Sequence, residues 1–177
     1  MTSLTTRDIL SPVWFDSHKE LFYENFYYQF QYKNNTFNKD FTYYINDIYQ
    51  TIEVSGTDGI SVNTESISTD VERFINNIFR DLDPKLDIDF KRVYSSNDAF
   101  VSIYKGIPSD YGELMGAAAF YTDEKINDTI STTKWQVFYK DTPGESQFLD
   151  GYGNLSIDTA HTLTHEIGHS LQLLHQE

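Results

Sequence analysis

The sequence predicts an α+β domain, and three kinds of segment indicate it. An amphipathic helix pattern spans residues 69–82, alternating apolar runs typical of strands lie between residues 86 and 140, and a capped helix pattern begins near residue 157. The chain contains no cysteine, so its core forms without disulfides. With 177 residues, of which 39% are hydrophobic, it is long enough to bury such a core. We expect one domain over residues 46–177, preceded by an aromatic-rich N-terminal arm over residues 1–45.

The first 68 residues carry weaker signals. Phe22, Phe26 and Phe30 recur every four positions, which favours a helix with one apolar face, although Tyr and Phe also suit strands. The segment 55–68, SGTDGISVNTESIS, is rich in Gly, Ser and Thr and predicts a polar loop or linker.

The first clear helix is TDVERFINNIFRDL. Thr69, with Glu72 three residues later, predicts a capping box at its start, and Pro84 predicts its end. The apolar side chains recur at helical spacing and predict a face packed on the core: Val71, Phe74, Ile75, Ile78, Phe79 and Leu82.

Strand-like segments follow. LDIDF and AFVSIYK alternate apolar and polar residues, and KWQVFYK is β-branched and aromatic, followed by the turn signal TPGE. Between them, YGELMGAAAFY has helix-forming Ala, Leu and Met but the length and neighbours of a strand, so the residues leave both interpretations open. The final helix is predicted from about residue 157 to 171, with Ser156 as its N-cap and Asp158 in its first turn.

Composition excludes several function classes. A formal net charge of -14 argues against a nucleic-acid partner, because phosphate binding needs clustered Lys and Arg. No apolar run approaches the roughly 18 residues of a membrane span, so we expect no membrane insertion. The N-terminus lacks the apolar run of a conventional secretory signal.

The last helix carries the sequence HEIGH. His165 and His169 are four residues apart, so on a helix both imidazoles can reach one Zn²⁺ at about 2.0–2.1 Å. Glu166 lies one step around the helix, where it can take a proton from a zinc-bound water whose pKa is roughly 7. The alternative is an accidental match in which the two histidines are ordinary, partly buried side chains.

A third metal ligand would define the site further, and His175 is the candidate. On an unbroken helix it would point about 120° away from the zinc face, so it can reach the metal only if the helix breaks near Gln172. Otherwise His175 is an exposed terminal residue. His161 is predicted to lie behind the metal ligands, on the surface or on the cleft wall, because three histidines along one helix cannot converge on one ion.

The segment LTHEIGHSLQLLH resembles the active-site helix of the metzincin metallopeptidases, and THEIGHSL is most similar to the serralysin branch. The resemblance implies zinc ligands at His165, His169 and His175 and a catalytic base at Glu166. It departs from the family at Gln172, where the family has glycine.

The resemblance also implies a fold and a substrate. It implies a zincin-like N-terminal subdomain with a twisted, mostly parallel sheet, an antiparallel edge strand, one long helix and the C-terminal active-site helix. In it residues 86–93 and 99–105 are core strands, and MGAAAFY is the edge strand. That strand binds an extended polypeptide substrate, and the implied substrate-binding residues are Gly116, Ala117, Ala118 and Ala119.

Members of the family continue past the third histidine into a methionine-containing turn beneath the zinc. Here Met1 and Met115 both lie upstream of the motif, so we expect the chain to be cut off after the third zinc histidine and, in isolation, weakly active or inactive. The resemblance further implies secretion without an N-terminal signal peptide, and Ca²⁺ sites in a missing downstream region. We expect a monomer.

Three functions compete. The first is a zinc metalloendopeptidase, or the N-terminal part of one. The second is a non-catalytic, truncated zincin-like protein that binds zinc or peptide without turnover. The third is an acidic secreted binding module in which the motif is fortuitous.

Overall fold

The computed structural model describes residues 40–86, 88–108, 114–127, 130–141 and 148–171. Seven strands and two longer helices lie within these ranges. The strands are β1 (Asp40–Ile45), β2 (Gln50–Glu53), β3 (Ser61–Thr64), β4 (Asp89–Val93), β5 (Val101–Lys105), β6 (Gly116–Asn127) and β7 (Ile130–Tyr139). The helices are α1 (Thr69–Leu86) and α2 (Ile157–Ser170), and a short 3-10 turn covers Ser96–Asp98.

The main sheet is mixed. Its five strands run in the order β4-β1-β5-β7-β6, with β4, β1, β5 and β7 parallel and β6 antiparallel to β7 at one edge. The predicted α+β class with a mostly parallel sheet and an antiparallel edge strand is therefore confirmed. Residues Gly116–Ala119 fall in β6, which decides the helix-or-strand ambiguity in favour of a strand.

Both helices pack on one face of this sheet. The strands alternate, so that every second side chain enters the core beneath α1 and α2. The strand residues on this face include Phe41, Tyr43, Val101, Ile103, Val137 and Tyr139. They meet the predicted apolar face of α1, whose six predicted positions are all buried. The helix-side core fixes where α2 lies relative to β6 and β7.

The opposite face is covered by a hairpin of β2 and β3. The prediction of a polar loop over residues 55–68 is therefore wrong in part, because β3 occupies Ser61–Thr64. Val62 and Thr64 are buried while their neighbours are exposed, an alternation too short to stand out in a segment rich in polar residues. Gly56 and Gly59 take positive φ in the hairpin turn.

Asn46 joins the hairpin to the sheet. Its side chain is fully buried at the end of β1 and donates to the carbonyls of Ile48 (2.7 Å) and Glu65 (3.1 Å). Its Oδ1 accepts from the Gln50 side chain at 2.7 Å. The main-chain N–H of Asn46 donates to the Ile103 carbonyl at 3.0 Å. Asn46 thus satisfies main-chain groups of three segments at once.

Two details of α1 differ from prediction. Ser68, not Thr69, caps the helix, because its Oγ accepts from the Val71 amide at 3.4 Å and its carbonyl from the Glu72 amide at 2.8 Å. The helix also continues through Pro84 to Leu86. A proline in the last turn removes few hydrogen bonds, and burial of Leu86 stabilises that turn. The strand predicted from Leu86 therefore begins later, at Asp89, and forms an edge of the sheet.

Part of the predicted arm belongs to the sheet. β1 (Asp40–Ile45) lies between β4 and β5, so the last six residues of the 1–45 segment are strand. Phe22, Phe26 and Phe30 lie outside the described residues. Neither helix in the described ranges is long and apolar enough to cross a membrane.

Candidate metal-binding and hydrolytic site

The site begins with the start of α2. Ser156 adopts an extended conformation, and its Oγ accepts from the Thr159 amide at 3.1 Å, which confirms it as the N-cap. Asp158 lies in the first turn, where its charge suits the helix dipole. The predicted helix of about residues 157–171 is confirmed with an end at Ser170.

The packing of α2 determines which side chains face outward. Its buried apolar stripe consists of Ala160, Leu163, Ile167 and, just after the helix, Leu171. These positions recur at three and four residues and lie against the sheet. The histidines fall on other faces: His161 and His165 are exposed, and His169 is half-buried.

His165 and His169 are brought together. Their Nε2 atoms are 3.1 Å apart, and their rings are nearly perpendicular at 87° with centroids 4.6 Å apart. Two nitrogens bound tetrahedrally to one zinc at about 2.0–2.1 Å lie roughly 3.3 Å from each other. The two side chains thus already have the separation that one shared ion requires.

Glu166 is the buried charged group of the motif. It is 8% exposed, and within the described part of the chain no hydrogen bond or ion pair reaches its carboxylate. Burial raises the pKa of Glu166 to about 7, because desolvation disfavours the charged form. A carboxyl with this pKa can both accept and release a proton near neutral pH.

The edge strand lies directly against Glu166. A Cβ placed on Gly116 would lie 2.7 Å from Cγ and 2.9 Å from Oε1 of Glu166, and 2.5 Å from Cγ2 of Thr162. These distances are far shorter than ordinary van der Waals contact. Thr162 and Glu166, four apart on α2, therefore enclose the space that a side chain at position 116 would need.

The register of β6 shows which main-chain groups face away from β7. Gly116 is opposite Tyr139, and the Lys140 amide donates to the Met115 carbonyl at 3.0 Å. Opposed pairs of an antiparallel ladder alternate between bonded and non-bonded, so the main-chain groups of Gly116 and Ala118 point to the outer edge. In keeping with this, the Tyr139 carbonyl accepts from Gly106 on the β5 side. Ala117 and Ala119 bond to β7.

The predicted site residues are thus partly assembled. His165, Glu166, His169 and Gly116–Ala119 lie on α2 and the adjacent strand, whereas His175 and Gln172 lie outside the described residues. His161 is exposed, as predicted for a surface position. Thr162 was not predicted, although its spacing of four from Glu166 places the two side chains on one helix face.

The donor chemistry fits zinc. Two imidazoles at the separation of shared ligands, beside an ionisable carboxyl, are typical of catalytic zinc sites. Within the described ranges no cluster of three or more His, Cys, Asp or Glu side chains forms.

Comparisons with protein-family models, with curated proteins and with solved structures found no match to the chain.

Proposed function

We propose that this chain is a zinc-dependent metalloendopeptidase, or the N-terminal part of one. The observation that carries the proposal is Glu166, a buried carboxyl without a partner among the described residues. It follows His165 directly in α2, and the Nε2 atoms of His165 and His169 are 3.1 Å apart. A buried carboxylate that serves only the fold is normally paired. One whose pKa is near 7 suits proton transfer.

The residues of the motif have separate roles. His165 and His169 would hold the ion, and His175 is the proposed third ligand. Bound zinc supplies a Lewis acid that polarises a carbonyl and acidifies water. Glu166 accepts the proton of the attacking water on its carboxylate and gives it to the leaving amine nitrogen as the peptide bond breaks. Its burial beside Gly116 reduces the hydration of the carboxylate, which favours the protonated form.

The substrate is an extended polypeptide that pairs with the outer edge of β6. The main-chain groups of Gly116 and Ala118 face that edge and can bond a peptide backbone, as in other cases of strand addition. The small side chains of Ala117 and Ala119 leave room beside it. This placement brings the scissile bond next to Glu166.

The order of elements supports a zincin-like fold. A long helix, two parallel strands, an antiparallel edge strand, a further parallel strand and the motif helix follow one another, as in the metzincins that the sequence resembles. Secretion belongs to the same proposal and rests on that resemblance.

The test is metal content and turnover of the purified 177-residue chain. We expect one zinc per chain by elemental analysis after dialysis, and slow cleavage of quenched fluorescent peptides that a chelator stops and zinc restores. Glu166→Gln is expected to keep the metal and lose the cleavage.

The outcomes separate the competing functions. Stoichiometric zinc without any cleavage would favour a non-catalytic zinc-binding protein. Absence of stoichiometric zinc would favour a fortuitous motif. Cleavage that is unchanged in Glu166→Gln would disprove the assigned mechanism.

A further inference from the structure

The contact between the edge strand and the motif helix is unusually close at one position. A Cβ on Gly116 would meet two atoms of Glu166 within 2.9 Å and one of Thr162 at 2.5 Å. Gly116 is not in a turn and is not among the glycines with positive φ, so its backbone conformation is open to any residue. The reason for glycine here is therefore space and not backbone freedom.

Side-chain atoms of Glu166 lie next to Gly116, where a side chain at that position would point. On β6 the side of Gly116 that lacks a side chain faces α2, while its main-chain groups face the outer edge of the sheet. Cγ and Oε1 of Glu166 lie within 2.9 Å of the position that a methyl group would occupy. Thr162 bounds the same space from the preceding turn of α2.

We infer that Gly116 is a positioning residue, which sets the conformation of the Glu166 carboxyl and its distance from a peptide paired along β6. The inference rests on the proposed function for its catalytic part, but the steric contact can be tested without turnover. Any side chain at position 116 must either turn Glu166 away from the strand or push β6 away from α2. Both changes separate the carboxyl from the substrate backbone, which Gly116 itself helps to bind.

The steric part is tested by a double-mutant cycle on the metal-free protein. Gly116→Ala is expected to lower Tm by roughly 3–8 °C through overpacking. Both backgrounds of the comparison carry Thr162→Ser, which removes the closer Cγ2 contact. In the Thr162→Ser/Glu166→Ala background, where Cγ and Oε1 of Glu166 are absent as well, Gly116→Ala is expected to lower Tm by less than half as much as in Thr162→Ser alone. Equal losses in the two backgrounds would show that Glu166 does not fill the space, and would overturn the inference.

The catalytic part is tested by kinetics of the zinc-loaded chain. Gly116→Ala is expected to lower kcat at least tenfold with zinc content unchanged and KM within about threefold. Adding Thr162→Ser removes the Cγ2 contact, so the double variant should recover part of the lost Tm while kcat stays low. Recovery of kcat together with Tm would show that Gly116 contributes only to packing, and would overturn its positioning role.

A matched control separates destabilisation from positioning. Ile78 is 1% exposed in α1, and Ile78→Val should lower Tm comparably without changing kcat. Wild-type kcat in Gly116→Ala overturns the positioning role and leaves the proposed function intact. Coupling in the cycle with no turnover in the wild type overturns the proposed function and leaves the steric assignment intact.

Discussion

Two glycines bring the backbone close to a carboxylate. Gly153 lies against Asp70 at the start of α1, and Gly116 lies against Glu166 of α2. A Cβ on Gly153 would lie 2.7 Å from Cγ of Asp70, much as one on Gly116 would approach Glu166. Asp70 pairs with Arg73 at 2.9 Å, and its side chain is 40% exposed. Glu166 is 8% exposed, and in the described ranges nothing neutralises it.

Asp70 is a structural carboxylate, whereas the proposed function makes Glu166 a reactive one. Arg73 also donates to the Gly151 carbonyl at 2.7 Å and lies over the Tyr152 ring, so the charges at α1 hold the loop 148–155 in place. Among the described residues no comparable partner holds Glu166, and its pKa rises towards neutrality. Similar packing therefore serves attachment in one place and, in the proposed function, proton transfer in the other.

The largest expected effect is the loss of turnover in Glu166→Gln. We expect kcat to fall about 10²- to 10⁴-fold with zinc retained, the range for loss of a general acid–base group. Glu72→Gln is the matched control, because Glu72 pairs with Arg92 and should leave kcat within about twofold. Single-substrate kinetics with elemental analysis checks both, and similar losses in the two variants would contradict the comparison.

The histidines give the next largest effect. His169→Ala is expected to lower zinc affinity by more than the roughly 10- to 100-fold typical of an outer-shell change, since it removes a ligand. His161→Ala should change it less than about twofold, because His161 lies about 12 Å along α2 from His169, too far to share one ion. Competition with a chromophoric chelator measures both affinities. Equal affinities in the two variants would exclude His169 as a ligand.

Gly153→Ala tests the structural contact. The residue has φ +58 and lies against Asp70, so we expect the free energy of unfolding to fall by about 2–3 kcal/mol from backbone strain and overpacking. Gly151→Ala isolates the strain, because Gly151 has φ +81 with no atom within 4 Å of the added Cβ. Urea unfolding should show the smaller loss in Gly151→Ala, and zinc affinity should be unchanged in both. An equal loss would mean that Asp70 is not displaced.

The smallest effect is a pH dependence of the metal-free protein. The pKa of Glu166 rises from 4.5 to about 7 on folding, so between these values the folded state holds a proton that the unfolded state releases. Its contribution is intact below the lower value and is lost as pH rises through the upper one, by about 1–3 kcal/mol. Glu166→Gln should lack this decline in urea unfolding at pH 5 and 8. The same decline in both proteins would show that Glu166 is not buried.

The elements that the sequence predicted well are those determined by local pattern. Examples are the N-cap at Ser156, the apolar face of α1 and the strands around Val101 and Val137. Each depends on residues only a few positions away in the sequence. The cap of α1 was misplaced by one residue, because Ser68 and Thr69 are equally suitable chemically and packing decides between them.

What the sequence could not provide depends on distant pairing. The contact of Gly116 with Thr162 and Glu166 joins residues about fifty positions apart, and the spacing of apolar residues along the sequence does not predict it. The central position of β1 likewise depends on its parallel pairing with β4 and β5. Parallel strands are joined by long connections, so the residues of one strand do not determine its position in the sheet.

Asn46 has a consequence for the dynamics of the whole domain. Because one buried side chain bonds to carbonyls on both sides of the hairpin, that hairpin cannot detach without leaving several polar groups unsolvated. We therefore expect the amides of Val54 and Glu65 to exchange with deuterium as slowly as those of β1, as a single cooperative unit. The layer farthest from the histidines would then open only when the sheet beneath them opens.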